Sequence, residues 1–396
     1  MLNKVIAQFT QEDIEHHRYG IGYEYDKLWG GKFPATTDQH LDEHEHEQLS
    51  VVAPRLRSLN LRIYQTLRTD AYRSVLSASL LLCDPGTFTT LVATREPDIL
   101  ASTYIFFDMP DFGIPEHGVG FYQQIFTLAN EAVLLSIKVM RLHACYPFWT
   151  SKAYYGLVEL RLTPRTADVP ISEAHLCDIL QASPGLRILE FALKIVDFLP
   201  EGTTIPVRLD CLEVLNIRMM NYRLVPNLLR MIDPGPRPLQ FSLSSAPSED
   251  DPRMLFNVPR FFSHANITML YANDFNKDEV VGILGLCPHL QALAWDGYCP
   301  PDSPESYALI SHAGIRSLFM IRCEVEIDIF SRWINLPALE KLVFYCCSFY
   351  RNNESDIRLG ESQIQMELAG ISPTINILGY NMPNPTENWE LFDPDS

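Results

Sequence analysis

Residues 184–191 read Pro184-Gly-Leu186-Arg-Ile-Leu189-Glu-Phe191, and the spacing of their apolar residues decides the fold. The phrase is Pro-x-Leu-x-x-Leu-x-Leu, with other apolar residues allowed in place of leucine. The same spacing follows other prolines of the chain, at Pro54, Pro288, Pro337 and Pro373. Its last part alternates with a period of two, which predicts a short strand with one apolar face directed inward.

Similar phrases without the proline extend the series. The second apolar anchor of each phrase, used as a marker, falls at residues 59, 91, 135, 160, 189, 215, 241, 270, 293, 318, 342 and 378. Eight consecutive steps, from 135 to 342, are 23 to 29 residues long, which is the period of leucine-rich repeats. Each strand–helix unit can bury its apolar face only against its neighbours. The sequence therefore predicts an α/β fold, a leucine-rich-repeat solenoid with a curved parallel sheet, helices on the convex side and about 11–12 irregular repeats.

Helical patterns precede several of the strands, at residues 172–182, 278–286 and 328–335. Proline disfavours helical geometry in the residue before it, so a helix is expected to end before each phrase. Cys323 and Cys347 each follow a marker by five residues. This is the Asn/Cys position of a leucine-rich repeat, where the side chain is expected to satisfy buried backbone groups at a turn.

Composition restricts the class of protein. The chain has 31 Lys and Arg against 49 Asp and Glu, a formal net charge of −18, which argues against nucleic acid as a partner. No apolar run reaches the length of a membrane span, so no membrane association is predicted. The nine cysteines are odd in number and form no C-x-x-C pair, which favours a reducing compartment and a cytoplasmic or nuclear protein.

The chain divides into an acidic N-terminal segment (1–50), a leucine-rich-repeat domain (51–380) and an acidic C-terminal tail (381–396). Residues 50–59 and 179–189, in which Ala-Pro or Ser-Pro precedes Leu-x-x-Leu, resemble the fungal F-box proteins with leucine-rich repeats. The resemblance covers residues 50–380 and implies a non-enzymatic protein-interaction module that holds the substrate of a ubiquitin ligase. In that family an N-terminal F-box docks a cullin-complex adaptor. Residues 1–50 contain no recognisable F-box, so the adaptor is not assigned as a partner.

A histidine-rich stretch near the N-terminus offers an alternative from another class, a metal-dependent enzyme or hydrolase. Its histidines are His16, His17, His40, His44 and His46. An H-E-x-x-H motif starting at His44 would need histidine at position 48, where Gln48 stands, so the polar face of a helix is the simpler interpretation. No phosphate-binding loop or G-x-S-x-G motif occurs either. We therefore predict no catalytic residue, no cofactor and no metal.

The residues one and three positions after each marker are expected to point away from the core, on the concave face of the sheet. Those chosen as candidate binding residues are Arg62, Lys138, Arg161, Arg218, Tyr271, Phe319, Ile321 and Tyr345. The four basic residues favour an acidic or phosphorylated peptide as the ligand, and the apolar four suit its hydrophobic part. Two alternatives stay open: the basic residues are isolated surface charges, and the segment after residue 350 folds back over the apolar strip. Arg161 and Arg218 are expected to be exposed, so replacing both by Glu should leave stability nearly unchanged and abolish binding of the ligand.

Overall fold

The computed structural model describes residues 58–64, 89–96, 134–143, 146–164, 169–200, 205–220, 222–244, 252–297, 309–351, 360–386 and 389. The predictions made for residues 1–50, including the histidine-rich stretch and the missing F-box, lie outside these residues.

Strands dominate the described part of the chain. They are β1 (Ser58–Tyr64), β2 (Thr90–Glu96), β3 (Val139–His143), β4 (Glu159–Thr163), β5 (Pro170–Ser172), β6 (Ile188–Phe191), β7 (Lys194–Val196), β8 (Val207–Leu209), β9 (Val214–Asn216), β10 (Ile232–Pro234), β11 (Leu239–Ser244), β12 (Ile267–Asn273), β13 (Ala292–Asp296), β14 (Ile310–Ser311), β15 (Ser317–Ile321), β16 (Glu324–Glu326), β17 (Ile334–Asn335), β18 (Lys341–Tyr345), β19 (Ser348–Tyr350) and β20 (Thr374–Leu378).

Short helices connect some of these strands. They are α1 (Glu173–Gln181), α2 (Val225–Met231), α3 (Pro252–His264), α4 (Lys277–Leu284), α5 (Ile327–Trp333) and α6 (Glu361–Leu368), with 3₁₀ turns at Lys152–Tyr154 and Tyr222–Leu224. The helices expected at 172–182, 278–286 and 328–335 are confirmed as α1, α4 and α5. None of the described helices is long and apolar enough to cross a membrane.

One large sheet organises the molecule. Twelve strands follow one another in the order β1-β2-β3-β4-β6-β9-β11-β12-β13-β15-β18-β20, and every neighbouring pair is parallel. The remaining strands pair two by two, as β5 with β7, β8 with β10, β14 with β17 and β16 with β19. The result is a solenoid-like α/β fold, in which the chain adds strands to one sheet in sequence order.

A single row of residues runs across all twelve strands in register, and we call it the marker row. It comprises Leu59, Leu91, Met140, Leu160, Leu189, Leu215, Phe241, Leu270, Leu293, Leu318, Leu342 and Ile375. From Leu91 to Leu342 these side chains are at most 1% exposed. They pack with the apolar sides of the helices, such as Leu176 and Leu180 of α1, into one continuous core. This is the burial that the leucine spacing predicts.

Two of the sequence markers are wrong. On β3 the marker row holds Met140, which is completely buried, whereas Leu135 lies before the strand and is 45% exposed. On β20 the row holds Ile375, which pairs with Leu342, rather than Leu378. On β3 the phrases at residues 132–137 and 137–142 both fit the template, and the pairing with the neighbouring strand selects the second. On β20 Ser372 stands at the first apolar position of the alternative phrase, so only the pairing with β18 selects Ile375.

The strands end in a repeated turn. Asp274, Gly297, Arg322 and Cys346 each follow the last residue of a strand and have positive φ values of 59°, 77°, 50° and 54°. Non-glycine residues adopt this turn at three of the four positions. At Gly297 a Cβ atom would lie 2.4 Å from Oδ1 of Asp274, so glycine avoids a clash with that side chain as well as the strain of positive φ.

Cys323 and Cys347 each follow one of these turn residues, and both thiols bond to backbone carbonyls, as the sequence predicts. The Cys323 thiol donates to the carbonyls of Ile321 (3.1 Å) and Trp295 (3.3 Å). The Cys347 thiol donates to Tyr345 (3.5 Å) and Met320 (3.2 Å). Each thiol therefore joins the end of its own strand to the strand before it.

Candidate interaction site

The sheet has a second face, opposite the core and the marker row. It is formed by the residues one before, one after and three after each marker position, because side chains alternate along a strand. The pairing register places Arg141, Arg161, Glu190, Asn216 and Ser242 next to one another on this face. The row continues through Tyr271, Ala294, Phe319 and Val343. The face thus changes from charged, through polar, to apolar along the sheet.

The apolar half of this face forms a hydrophobic cluster of its own, separate from the main core. Its buried members, which we call the second-face cluster, are Val214, Tyr271, Ala294, Phe319, Ile321, Val343 and Trp389. Tyr345 and Leu378 pack against it at the side and are partly buried. A solvent-facing strand surface is ordinarily polar, so an apolar cluster here requires a cover.

Trp389 supplies that cover within the described residues. Its ring meets Phe319 edge to face, with 5.2 Å between ring centroids and an angle of 83°, and the residue is only 8% exposed. The backbone N–H of Trp389 donates a hydrogen bond to the carbonyl of Thr386 (2.9 Å). Asn384 Oδ1 in turn accepts from the N–H (3.0 Å) and the hydroxyl (2.8 Å) of Thr386. A turn at residues 384–386 therefore leads into the tryptophan.

A buried carboxylate anchors one edge of the cluster. Asp296 is fully buried; it accepts a hydrogen bond from the hydroxyl of Tyr271 and two from the guanidinium of Arg322 (2.8 and 2.5 Å). Burial and the charge of Asp296 both raise the pKa of Tyr271, so its hydroxyl stays protonated as a donor. The arrangement fixes the Tyr271 ring within the cluster.

Cations lie around the cluster. The Arg218 guanidinium is 5.4 Å from the centroid of the Tyr271 ring, and the Lys341 ammonium is 5.3 Å from that of Phe319. Both distances allow cation–π attraction. Lys341 is exposed to solvent. Arg322 is paired with Asp296, so Arg218 and Lys341 are the cations that lie over aromatic rings of the cluster in the described residues.

The other half of the second face is charged but balanced. Arg161 donates to Glu159 (2.6 Å) and Glu190 (3.3 Å), and Arg141 also donates to Glu159 (2.6 Å). Burial alone would raise the pKa of Glu159, but the hydrogen bonds and charges of the two arginines lower it overall. Among the side chains described in this half, these two cations and two carboxylates balance each other.

The candidate binding residues predicted from the sequence do not all lie in the same environment. Tyr271, Phe319, Ile321 and Tyr345 come together as expected. Arg161 and Arg218 lie on or next to the same face, but Arg161 is held by two carboxylates and its side chain is only 12% exposed. The expectation that Arg161 is an exposed charge is therefore wrong.

Lys138 does not belong to the face. It precedes β3, and its ammonium donates to the carbonyl of Gly156 (3.1 Å). The error follows from the wrong marker at Leu135, because Arg141 and His143 occupy the positions assigned to Ser136 and Lys138. Arg62 lies on β1, in register with Thr94 of β2, and its side chain lies outside the described part of the structure.

Sequence reasoning missed several residues of the site, among them Lys341, which precedes the marker Leu342 by one residue. Glu159 precedes a marker by one residue, and the period of two places it on the same face as Arg161; counting only the positions after each marker left it out. Trp389 belongs to no repeat phrase. Its signal is a large aromatic residue within an acidic terminal stretch.

Comparison with known proteins adds no relative: no protein-family model matches the chain, and no curated protein matches it. Within the described residues, no group of three or more His, Cys, Asp or Glu side chains is arranged to hold a metal ion.

Proposed function

We propose that this chain is a leucine-rich-repeat solenoid of about 11–12 irregular repeats that serves as a non-enzymatic protein-interaction module. The described steps of the marker row between Met140 and Leu342 are 20 to 29 residues long, and the parallel sheet grows in sequence order. In solenoids of this kind the face opposite the helices is concave and is used for binding. The ligand is a protein or peptide held on the second face.

The second-face cluster is the observation that carries the proposal. Large apolar groups on a strand surface lack the neighbouring helices that bury the marker row, so they have to be covered by another segment of the chain or by a partner. Phe319, Val343 and Tyr271 are at most 5% exposed although they point away from the main core. A surface of this kind is suited to bury the anchor residue of a partner.

The charge around the cluster revises the ligand chemistry expected from the sequence. Arg161 is committed to Glu159 and Glu190, so we assign it to the fold rather than to a ligand. Lys341 is exposed and lies over the Phe319 ring, and its charge favours an acidic peptide with an apolar anchor. This is the type of ligand that a substrate-binding module resembling F-box/leucine-rich-repeat receptors would hold.

Panning of a displayed random-peptide library on the full chain tests this function. We would pan on the wild type and on Trp389→Ala, in which the side chain that covers the second-face cluster is removed. The affinity of the selected peptides is then measured by fluorescence anisotropy. Lys341→Glu is the site variant. Lys194→Glu is its matched control, because Lys194 is an exposed lysine on β7, outside the large sheet.

The proposal is supported if selected peptides bind and Lys341→Glu weakens them at least about fivefold while Lys194→Glu does not. It fails if no peptide is enriched on either form, or if both lysine variants change the affinity equally. A binding assay with the purified cullin-complex adaptor tests the ligase part of the resemblance separately. Retention above that of an unrelated acidic protein supports it, and no retention limits the proposal to an interaction module.

A further inference from the structure

The second-face cluster contains one member that does not come from the sheet or from the turns at its edge. Val214, Tyr271, Ala294, Phe319, Ile321 and Val343 belong to strands of the large sheet. Trp389, by contrast, follows the end of β20 by eleven residues. A tryptophan that reaches back onto the face of the sheet occupies the position that the anchor of a ligand would take.

The contacts of Trp389 are those of an anchor. Its edge-to-face arrangement with Phe319 is the geometry preferred by pairs of aromatic rings. Tryptophan is also enriched among the residues that contribute most to binding, usually in desolvated pockets at the centre of an interface. Trp389 is 8% exposed, and the cluster is the apolar group with which it packs.

The sequence around Trp389 has the charge that the site favours. Residues 384–396 read Asn-Pro-Thr-Glu-Asn-Trp-Glu-Leu-Phe-Asp-Pro-Asp-Ser, with four acidic residues and no basic one. The cluster is accompanied by Lys341 over the Phe319 ring and Arg218 over the Tyr271 ring. An acidic peptide with a central tryptophan is thus matched to the site in both apolar anchor and charge.

We infer that the second-face cluster is a recognition site for an acidic peptide segment containing tryptophan, and that Trp389 of the chain itself occupies it as an internal ligand. The inference rests on the proposed function and names its ligand class and its regulation. Because the segment is tethered, it competes at an effective concentration of about 1 mM. If the tethered segment has an intrinsic Kd of about 10 μM, an external peptide would therefore appear about a hundredfold weaker against the intact chain.

A labelled peptide of residues 384–396 tests the inference with full-length protein. Its fluorescence anisotropy is titrated with the wild type and with Trp389→Ala, in which the internal anchor is removed. The matched control is the same peptide with alanine in place of its tryptophan. The double variant Trp389→Ala/Lys341→Glu tests how much the charge of Lys341 contributes to peptide binding. The double variant Trp389→Ala/Lys194→Glu is its control.

We expect Trp389→Ala to bind the peptide at least about tenfold more tightly than the wild type. The alanine peptide should lose this binding, and Lys341→Glu should weaken it where Lys194→Glu does not. Equal affinity of the wild type and Trp389→Ala, or no binding to either, overturns the inference. If Trp389→Ala loses its cooperative thermal transition, the wild type labelled with 5-fluorotryptophan replaces it. In that case, a change in the chemical shift of the Trp389 ¹⁹F resonance on addition of peptide supports the inference, and an unchanged chemical shift overturns it.

The two proposals fail in distinguishable ways. If library peptides bind and respond to Lys341→Glu but the 384–396 peptide does not bind, the interaction module stands and the internal ligand is wrong. If neither kind of peptide binds, both are wrong.

Discussion

Arg161→Ala should destabilise this protein strongly, although the sequence suggests an exposed side chain. Arg161 is 12% exposed and pairs with Glu159 and Glu190, whose side chains are 9% and 6% exposed. Removing one partner of a buried ion pair leaves an uncompensated charge and costs about 3–5 kcal/mol. Arg141 continues to pair with Glu159, so we expect the low end of this range, about 3 kcal/mol.

The free energy of unfolding is measured by urea denaturation at pH 7, in parallel with Arg208→Ala. Arg208 pairs with Asp210, but both side chains are more than half exposed, so its removal should leave the unfolding midpoint unchanged. Adding Glu190→Gln to Arg161→Ala should recover part of the loss, because it removes the carboxylate left without Arg161. If Arg161→Ala is no more destabilising than Arg208→Ala, Arg161 does not hold this half of the face together.

Three further predictions concern the core and the ion pairs. Leu189→Ala and Leu342→Ala should each cost about 2–5 kcal/mol in urea denaturation through cavity formation, and losses below about 1 kcal/mol would contradict their place in the marker row. Met140→Ala should cost a similar amount, while Leu135→Ala, 45% exposed, should stay within about 0.5 kcal/mol; the reverse order would restore the marker at 135. Acid unfolding of Glu159→Gln and the wild type, followed by circular dichroism, should show a stability difference that is full above the ordinary glutamate pKa of about 4.3 and disappears as the pH falls through the lowered pKa of Glu159. A difference that stays constant down to pH about 3 would show that its ionisation is not the cause.

The fold could be predicted because the repeated phrase imposes the same burial on each strand. Leu160, Leu189 and Leu318 are at most 1% exposed in register, and a spacing that recurs this often is not compatible with isolated helices. The marker was predicted at the wrong residue on β3, where two phrases overlap. Ile137, Met140 and Leu142 fit the template as well as residues 132–137, and the leucine at 135 made the wrong choice attractive.

The site could be predicted only in part, because some of its contacts join residues that are far apart along the chain. Alternation along a strand is local, so Tyr271 and Phe319 were correctly placed on one face. Of the two carboxylates that bind Arg161, Glu159 is two residues away and follows from the same alternation, whereas Glu190 is 29 residues away along the chain. Trp389 is further still from its contact on Phe319, and no repeat phrase describes it.

The uneven distribution of charge along the second face restricts where a ligand can bind. In the half around Arg161, two arginines and two glutamates balance each other, and an acidic ligand there would have to displace Glu159 or Glu190 from its hydrogen bonds. In the half around Phe319, Lys341 is exposed beside apolar groups, so one short peptide can bury an aromatic side chain and place a carboxylate near a cation. The two requirements of the ligand are therefore met within a few strands, from β9 to β18, and the charged half of the face serves the fold. Trp389, which covers the cluster, supplies the apolar part of this requirement, and its neighbours in the sequence are acidic, as the exposed Lys341 favours.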